Sequence, residues 1–124
     1  MNSYVGQSGM VPAPEARIFL KTTEFIELSP ARTWVFIDEH EDSIDDGSFL
    51  MTRPGEGGTL VWHDLPASRH KGAANLTFAD GHVELKRWLD PRTRRTIEGR
   101  KFSYVSSPNN GDCAWLLERT TAAW

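Results

Sequence analysis

Apolar residues along this chain come in short runs, not in the long stripes of an extended helix. The strongest run is Thr33–Asp38, Thr-Trp-Val-Phe-Ile-Asp, β-branched and aromatic and apolar without a break from Trp34 to Ile37. Such continuity predicts a central strand covered on both faces. Thr59–His63 reads as a further strand. Asn75–Phe78 and His82–Trp88 are joined through Ala79-Asp80-Gly81. Asp-Gly between two such runs predicts a hairpin, because tight hairpin turns need positive φ. In the second run Val83, Leu85 and Arg87 alternate with Glu84, Lys86 and Trp88, which predicts one buried face and one wetter face. Short strands are also expected at Arg17–Leu20, Ser48–Met51 and Phe102–Val105, with a helical turn from Thr22 or Thr23 through Ile26. Asp112 or Asn110 is placed to cap a helix over Cys113–Thr120. The lead-in Met1–Ala16, the acidic segment Glu39–Gly47 and the segment Asp64–Ala73 read as irregular. The pattern predicts an α+β fold: an antiparallel sheet of about four to six strands, a minority of helix and long loops.

Composition narrows the class. With 124 residues, 39% hydrophobic and 25% charged, the chain fits one domain with a modest core. The formal net charge is −3. The densest basic stretch, Arg92, Arg94, Arg95, Arg100 and Lys101, is broken by Glu98, so a nucleic-acid partner is not expected. Cys113 is the only cysteine, which excludes an internal disulfide. No stretch approaches the ~18–20 apolar residues of a membrane span, and Met1–Met10 lacks the layout of a signal peptide. Expressed as given, the chain is expected to stay in the cytoplasm.

Three groupings suggest chemistry. The first is acidic: Asp38, Glu39, His40, Glu41, Asp42, Asp45 and Asp46 put six carboxylates and an imidazole into nine residues. A hard cation such as Ca²⁺ would relieve their repulsion, and Asp38, His40, Asp42, Asp45 and Asp46 are the candidate ligands. The competing reading is a solvated loop in which Asp46-Gly47 makes a turn. The second is His70 with Asp80. A loop folded back on the hairpin could bring the imidazole to the carboxylate as a structural clamp. Alternatively His40, His63, His70 and His82, with Asp38 or Asp80, could hold Zn²⁺ or serve catalysis. The third is hydrolytic. There is no Gly-x-Ser-x-Gly elbow, but paired carboxylates, Asp38 with Asp80 or Glu39 with Glu84, could flank a glycosidic bond. Trp62, Trp88 and Trp124 could stack on sugars, while Trp34 and Trp115 read as core.

His70-Lys-Gly-Ala-Ala-Asn-Leu-Thr-Phe-Ala-Asp80-Gly81 is a histidine, nine residues and Asp-Gly. It resembles the signature of the prepilin-type H-X9-DG domain. Phe36–Gly47, Trp62–Ser68 and Trp115–Thr120 resemble further blocks of those proteins in the same order, so the similarity runs over roughly residues 30 to 120. The resemblance implies that residues 1–124 are the C-terminal globular domain of a pseudopilin-like subunit, without the N-terminal hydrophobic helix such proteins carry. It implies a structural role as the extracytoplasmic head of a secretion or pilus-like apparatus. The partners would be other pilin-like subunits or secreted cargo, homo-oligomers are possible, and the full-length parent would be periplasmic or at the cell surface. A cation- or carbohydrate-binding module and a small hydrolase remain the alternative readings, with His70, Asp80 and Asp38 as the catalytic candidates.

Overall fold

The computed structural model of the chain describes residues 1–2, 28–51 and 59–121. The expected strand at 17–20, the helical turn at 22–26 and Trp124 lie outside the described residues. The rest is an α+β arrangement of five strands in two antiparallel sheets. Three strands, β1 (Trp34–Ile37), β3 (Ala73–Phe78) and β4 (Val83–Arg87), form one sheet in the order β1-β3-β4. Two short ones, β2 (Val61–Trp62) and β5 (Val105–Ser106), form the other. A single helical turn, α1 (Arg69–Gly72), precedes β3, and the helix α2 (Gly111–Leu117) follows β5. No helix among the described residues is long and apolar enough to cross a membrane.

The hairpin forms as its turn residues predict. Thr77 pairs with Val83 and Ala73 with Arg87, and Gly81 has φ +91, a conformation that L side chains rarely adopt. The centre of the sheet, however, is β3 and not β1. Trp34 is buried, but Phe36 on β1 is 55% exposed. The continuous apolar run therefore does not mark a strand covered on both faces. The outer edge of β1 is closed by backbone from two other segments: Asn2 N–H donates to the Val35 carbonyl (2.8 Å) and Trp34 N–H to the Arg119 carbonyl (3.2 Å). Past β1 the ladder continues into the loop before α1, where His40 N–H donates to Leu65 O (2.9 Å) and Ala67 N–H to Asp38 O (2.8 Å).

One core cluster holds both sheets and α2 together. It includes Trp34, Phe49, Met51, Trp62, Leu65, Leu76, Phe78, Trp88, Cys113 and Leu116. Trp34 meets Phe49 edge-on, with ring centres 5.6 Å apart. The indole N–H groups of Trp34 and Trp88 are satisfied inside, by Thr120 Oγ1 (3.1 Å) and the Ala67 carbonyl (2.8 Å), as burying a tryptophan requires. Asn110 caps α2, its Oδ1 accepting from Asp112 N–H (2.9 Å) and Cys113 N–H (3.3 Å). Burial pushes the Cys113 thiol up to about 12, so it behaves as a small core hydrophobe.

Candidate functional site

The sequence-predicted pair His70 and Asp80 is not a pair. The two residues stand at opposite ends of β3, whose six residues at ~3.3 Å each put roughly 20 Å between them. At the hairpin tip Asp80 turns to His82 instead: its Oδ1 accepts from His82 N–H (3.1 Å) and contacts the imidazole Nδ1. The backbone N–H of His82, then its imidazole, hold the Asp80 carboxyl below the usual carboxylate range. The ring stacks on Phe78 (centres 4.4 Å apart), and its Nε2 lies 3.7 Å from Glu84 Oε1. The nearest partner of a turn carboxylate is two residues along, a local Asx geometry that spacing from His70 could not reveal.

His70 itself carries backbone strain. His70 (φ 57, ψ 47) and Lys71 (φ 61, ψ 45) are both left-handed, and Gly72 follows at φ 83. The surroundings fix this reversal: Gly72 N–H donates to Ser68 O (3.1 Å), Trp88 N–H to Gly72 O (2.9 Å) and Arg87 Nη1 to Lys71 O (3.0 Å). The side chain of His70 is exposed and makes no hydrogen bond or ion pair among the described residues. His70→Gly is accordingly expected to raise unfolding stability by about 0.5–1 kcal/mol by relieving a left-handed L residue. Urea unfolding checks it, and a loss of stability would show that the imidazole has a structural partner.

The acidic segment is divided rather than gathered. Asp38 Oδ2 accepts from the backbone and side-chain amides of Asn75 (both 3.3 Å). Asp42 accepts from Glu98 N–H (2.7 Å) and Gly99 N–H (3.0 Å). The first of these bonds is the main reason its carboxyl lies below the usual range. Asp46 accepts from Ser48 N–H (2.6 Å), and Glu41 pairs with Arg69. His40 is buried: Nδ1 accepts from Asp42 N–H (3.1 Å), which leaves Nε2–H to donate to the Arg95 carbonyl (3.0 Å). Asp45 is exposed. Among the described residues, no three His, Cys, Asp or Glu side chains converge into a metal-holding group. The expected ligand set Asp38, His40, Asp42, Asp45 and Asp46 is thus split, because backbone N–H groups take the lone pairs that a cation would need.

The tryptophans expected to stack on sugars are placed otherwise: Trp62 and Trp88 are buried. Trp62 lines a cavity of about 170 Å³ with Leu65, Phe102, Val105, Arg92 and Arg95, and its buried indole N–H has no hydrogen-bond partner among the described residues. Arg92 at this cavity is held by Asp90 and the Pro108 carbonyl (2.9 Å), and Arg95 lies over the Phe102 ring at 5.1 Å.

Glu39, paired in the sequence reading with Glu84, is set apart in the fold by its burial instead. Burial pushes it up to about 7, against a hydrogen bond from Ser43 Oγ (2.8 Å) that pulls the other way. Its folded value lies above the unfolded one of 4.5. The folded state therefore holds the proton longer, and stability falls as pH rises from about 4.5 to 7. Glu39→Gln mimics the protonated form. It is expected to leave the melt unchanged at pH 4 and to stabilise by about 1 kcal/mol at pH 8, after discounting for partial exposure. Thermal melts of both proteins across that range check the sign.

The alternation of β4 predicts two faces without saying which is inner, and the fold settles it. Val83 is 61% and Leu85 56% exposed, so the apolar set of β4 points away from the core. With Phe36 opposite Thr77, and Thr77 opposite Val83, a row of the outer sheet face reads Phe36–Thr77–Val83. Leu85 stands beside it, opposite Asn75. No protein-family model matches the chain, and neither does any curated protein or solved structure.

Proposed function

We propose that this chain is a structural head domain of a pseudopilin-like subunit, whose outer sheet face packs against neighbouring subunits or secreted cargo. The observation that carries the reading is the row Phe36, Val83 and Leu85. Three large apolar side chains, each more than half exposed, sit in register on a hydrogen-bonded sheet. An apolar patch on an ordered surface marks contact with another macromolecule more often than it marks chemistry. A second support comes from the blocks that resemble the prepilin-type domain. Asp80 and Gly81 make the hairpin turn, Asp38 ties β1 to Asn75, and the left-handed His70 sets the entry to β3. Those residues build a frame that presents the face.

The test is a photo-crosslinking amino acid at position 36 of the protein in its own cells. The expected product joins it to a chain that bears a prepilin leader and a hydrophobic N-terminal helix, or to an exported cargo protein. No adduct, or adducts only with cytoplasmic enzymes, overturns the reading.

A further inference from the structure

We propose that the free edge of β4 pairs with the same edge of a second copy, antiparallel, with Leu85 on the two-fold axis. β4 ends its sheet. Its even-numbered positions face β3: Phe78 N–H donates to His82 O and Trp88 N–H to Gly72 O, both at 2.9 Å. The alternation of an antiparallel ladder therefore turns the N–H and C=O groups of Val83, Leu85 and Arg87 outward. Among the described residues no backbone group bonds to that edge, whereas the outer edge of β1 is closed by Asn2 and Arg119.

An open edge with charged side chains is commonly a device against pairing. Here the charges are arranged the other way. The strand reads Val83-Glu84-Leu85-Lys86-Arg87, which is complementary to itself when run antiparallel about Leu85. Glu84 then faces Lys86 of the second copy, twice over, Leu85 faces Leu85, and Val83 faces Arg87. The outward-turned groups of 83, 85 and 87 meet one another, as hydrogen-bonded pairs require. A register centred on Glu84 sets two carboxylates opposite each other, and one centred on Lys86 sets two ammonium groups opposite each other. Both are disfavoured in cross-strand pairs. The favoured register also runs the two apolar outer faces together across one continuous sheet, three strands from each copy. The occupant is thus a second copy of this chain, chosen by charge complementarity. The inference rests on the sequence of β4 and its ladder, and it stands whether or not the chain belongs to a pilin-like apparatus.

A five-residue edge is a small interface, so the dimer forms over roughly 10 µM to 1 mM. Sedimentation of the 124-residue chain across that range should show its mass rising from one chain toward two. Glu84→Lys and Lys86→Glu should each abolish the rise, and an equimolar mixture of the two variants should restore it, because lysines of one then face glutamates of the other. Lys86 lies 4.9 Å from the Trp115 ring centre, so each variant's melt is recorded. If Lys86→Glu unfolds, Glu84→Lys decides alone. A wild-type chain that stays monomeric to 1 mM overturns the proposal and leaves the edge to a strand from a different protein. So does Glu84→Lys dimerising as the wild type does.

Discussion

Trp34→Ala is expected to remove about 3–5 kcal/mol of unfolding free energy, the range for truncating a fully buried large aromatic. Trp34 has no exposed surface, and three other segments meet at it. Its ring lies edge-on to Phe49, its indole N–H reaches Thr120 Oγ1, its carbonyl accepts from Asn2 Nδ2 (2.8 Å) and its N–H donates to Arg119 O. Truncation leaves a cavity and takes from the Thr120 hydroxyl the bond it accepts, leaving only the one it donates to the Leu116 carbonyl (2.8 Å), and it loosens the bulge between Trp34 and Phe36 where β1 changes register against β3. A domain of this size has only about 5–15 kcal/mol in total, so the variant should be largely unfolded near 37 °C. Equilibrium denaturation with Trp34→Phe as control separates the parts. Phenylalanine keeps most of the ring contact and loses the N–H, and it should cost less than half as much. Equal losses for the two variants would mean that the hydrogen bond, not the packing, holds the site.

What the sequence made legible was local. The hairpin was readable because Asp-Gly encodes its own turn, and the cap of α2 because an Asn side chain reaches its own helix. What it hid was arrangement at a distance. The run Trp34–Ile37 was read as a covered strand, yet nothing in four residues says how many neighbours they will have, and Phe36 ends up exposed. The alternation of β4 was correctly periodic but carries no sign: a period of two distinguishes two faces without saying which is inner. In this chain the other set turns toward the core side, where Trp88 is buried, Lys86 is half-buried over Trp115 and Glu84 stays exposed. The acidic segment misled for a related reason. Proximity in sequence suggested a shared cation, while the fold supplied distant backbone N–H groups, Glu98 and Gly99 for Asp42 and Asn75 for Asp38. The role of Asn2, whose side chain bridges the carbonyls of Trp34 and Thr120 (2.8 and 2.9 Å), had no sequence signal at all. The orientation of β4 is the point on which the sequence was silent and the fold is not: a strand that turns valine and leucine outward leaves apolar area uncovered.

Asp112→Ala is the second large effect, about 2–4 kcal/mol. Asp112 is 3% exposed and sits in the first turn of α2. Its carboxylate accepts from Leu89 N–H (3.1 and 3.0 Å to its two oxygens) and from Asp90 N–H (2.8 Å). Those two amides belong to the residues just past β4, so one side chain fastens the helix to the exit of the hairpin. Alanine leaves both N–H groups without an acceptor, and each such loss costs about 1–3 kcal/mol. It also removes a negative charge from a helix N-terminus, where it is favourable. Asp112→Asn retains one acceptor oxygen but turns an N–H₂ toward two backbone donors, so it should recover only part of the loss. Backbone amide exchange locates the effect: Leu89 and Asp90 should lose protection in Asp112→Ala, while Leu76 at the centre of β3 exchanges only with global unfolding. If Leu89 and Asp90 kept their protection, the carboxylate would not be the clamp between α2 and the hairpin.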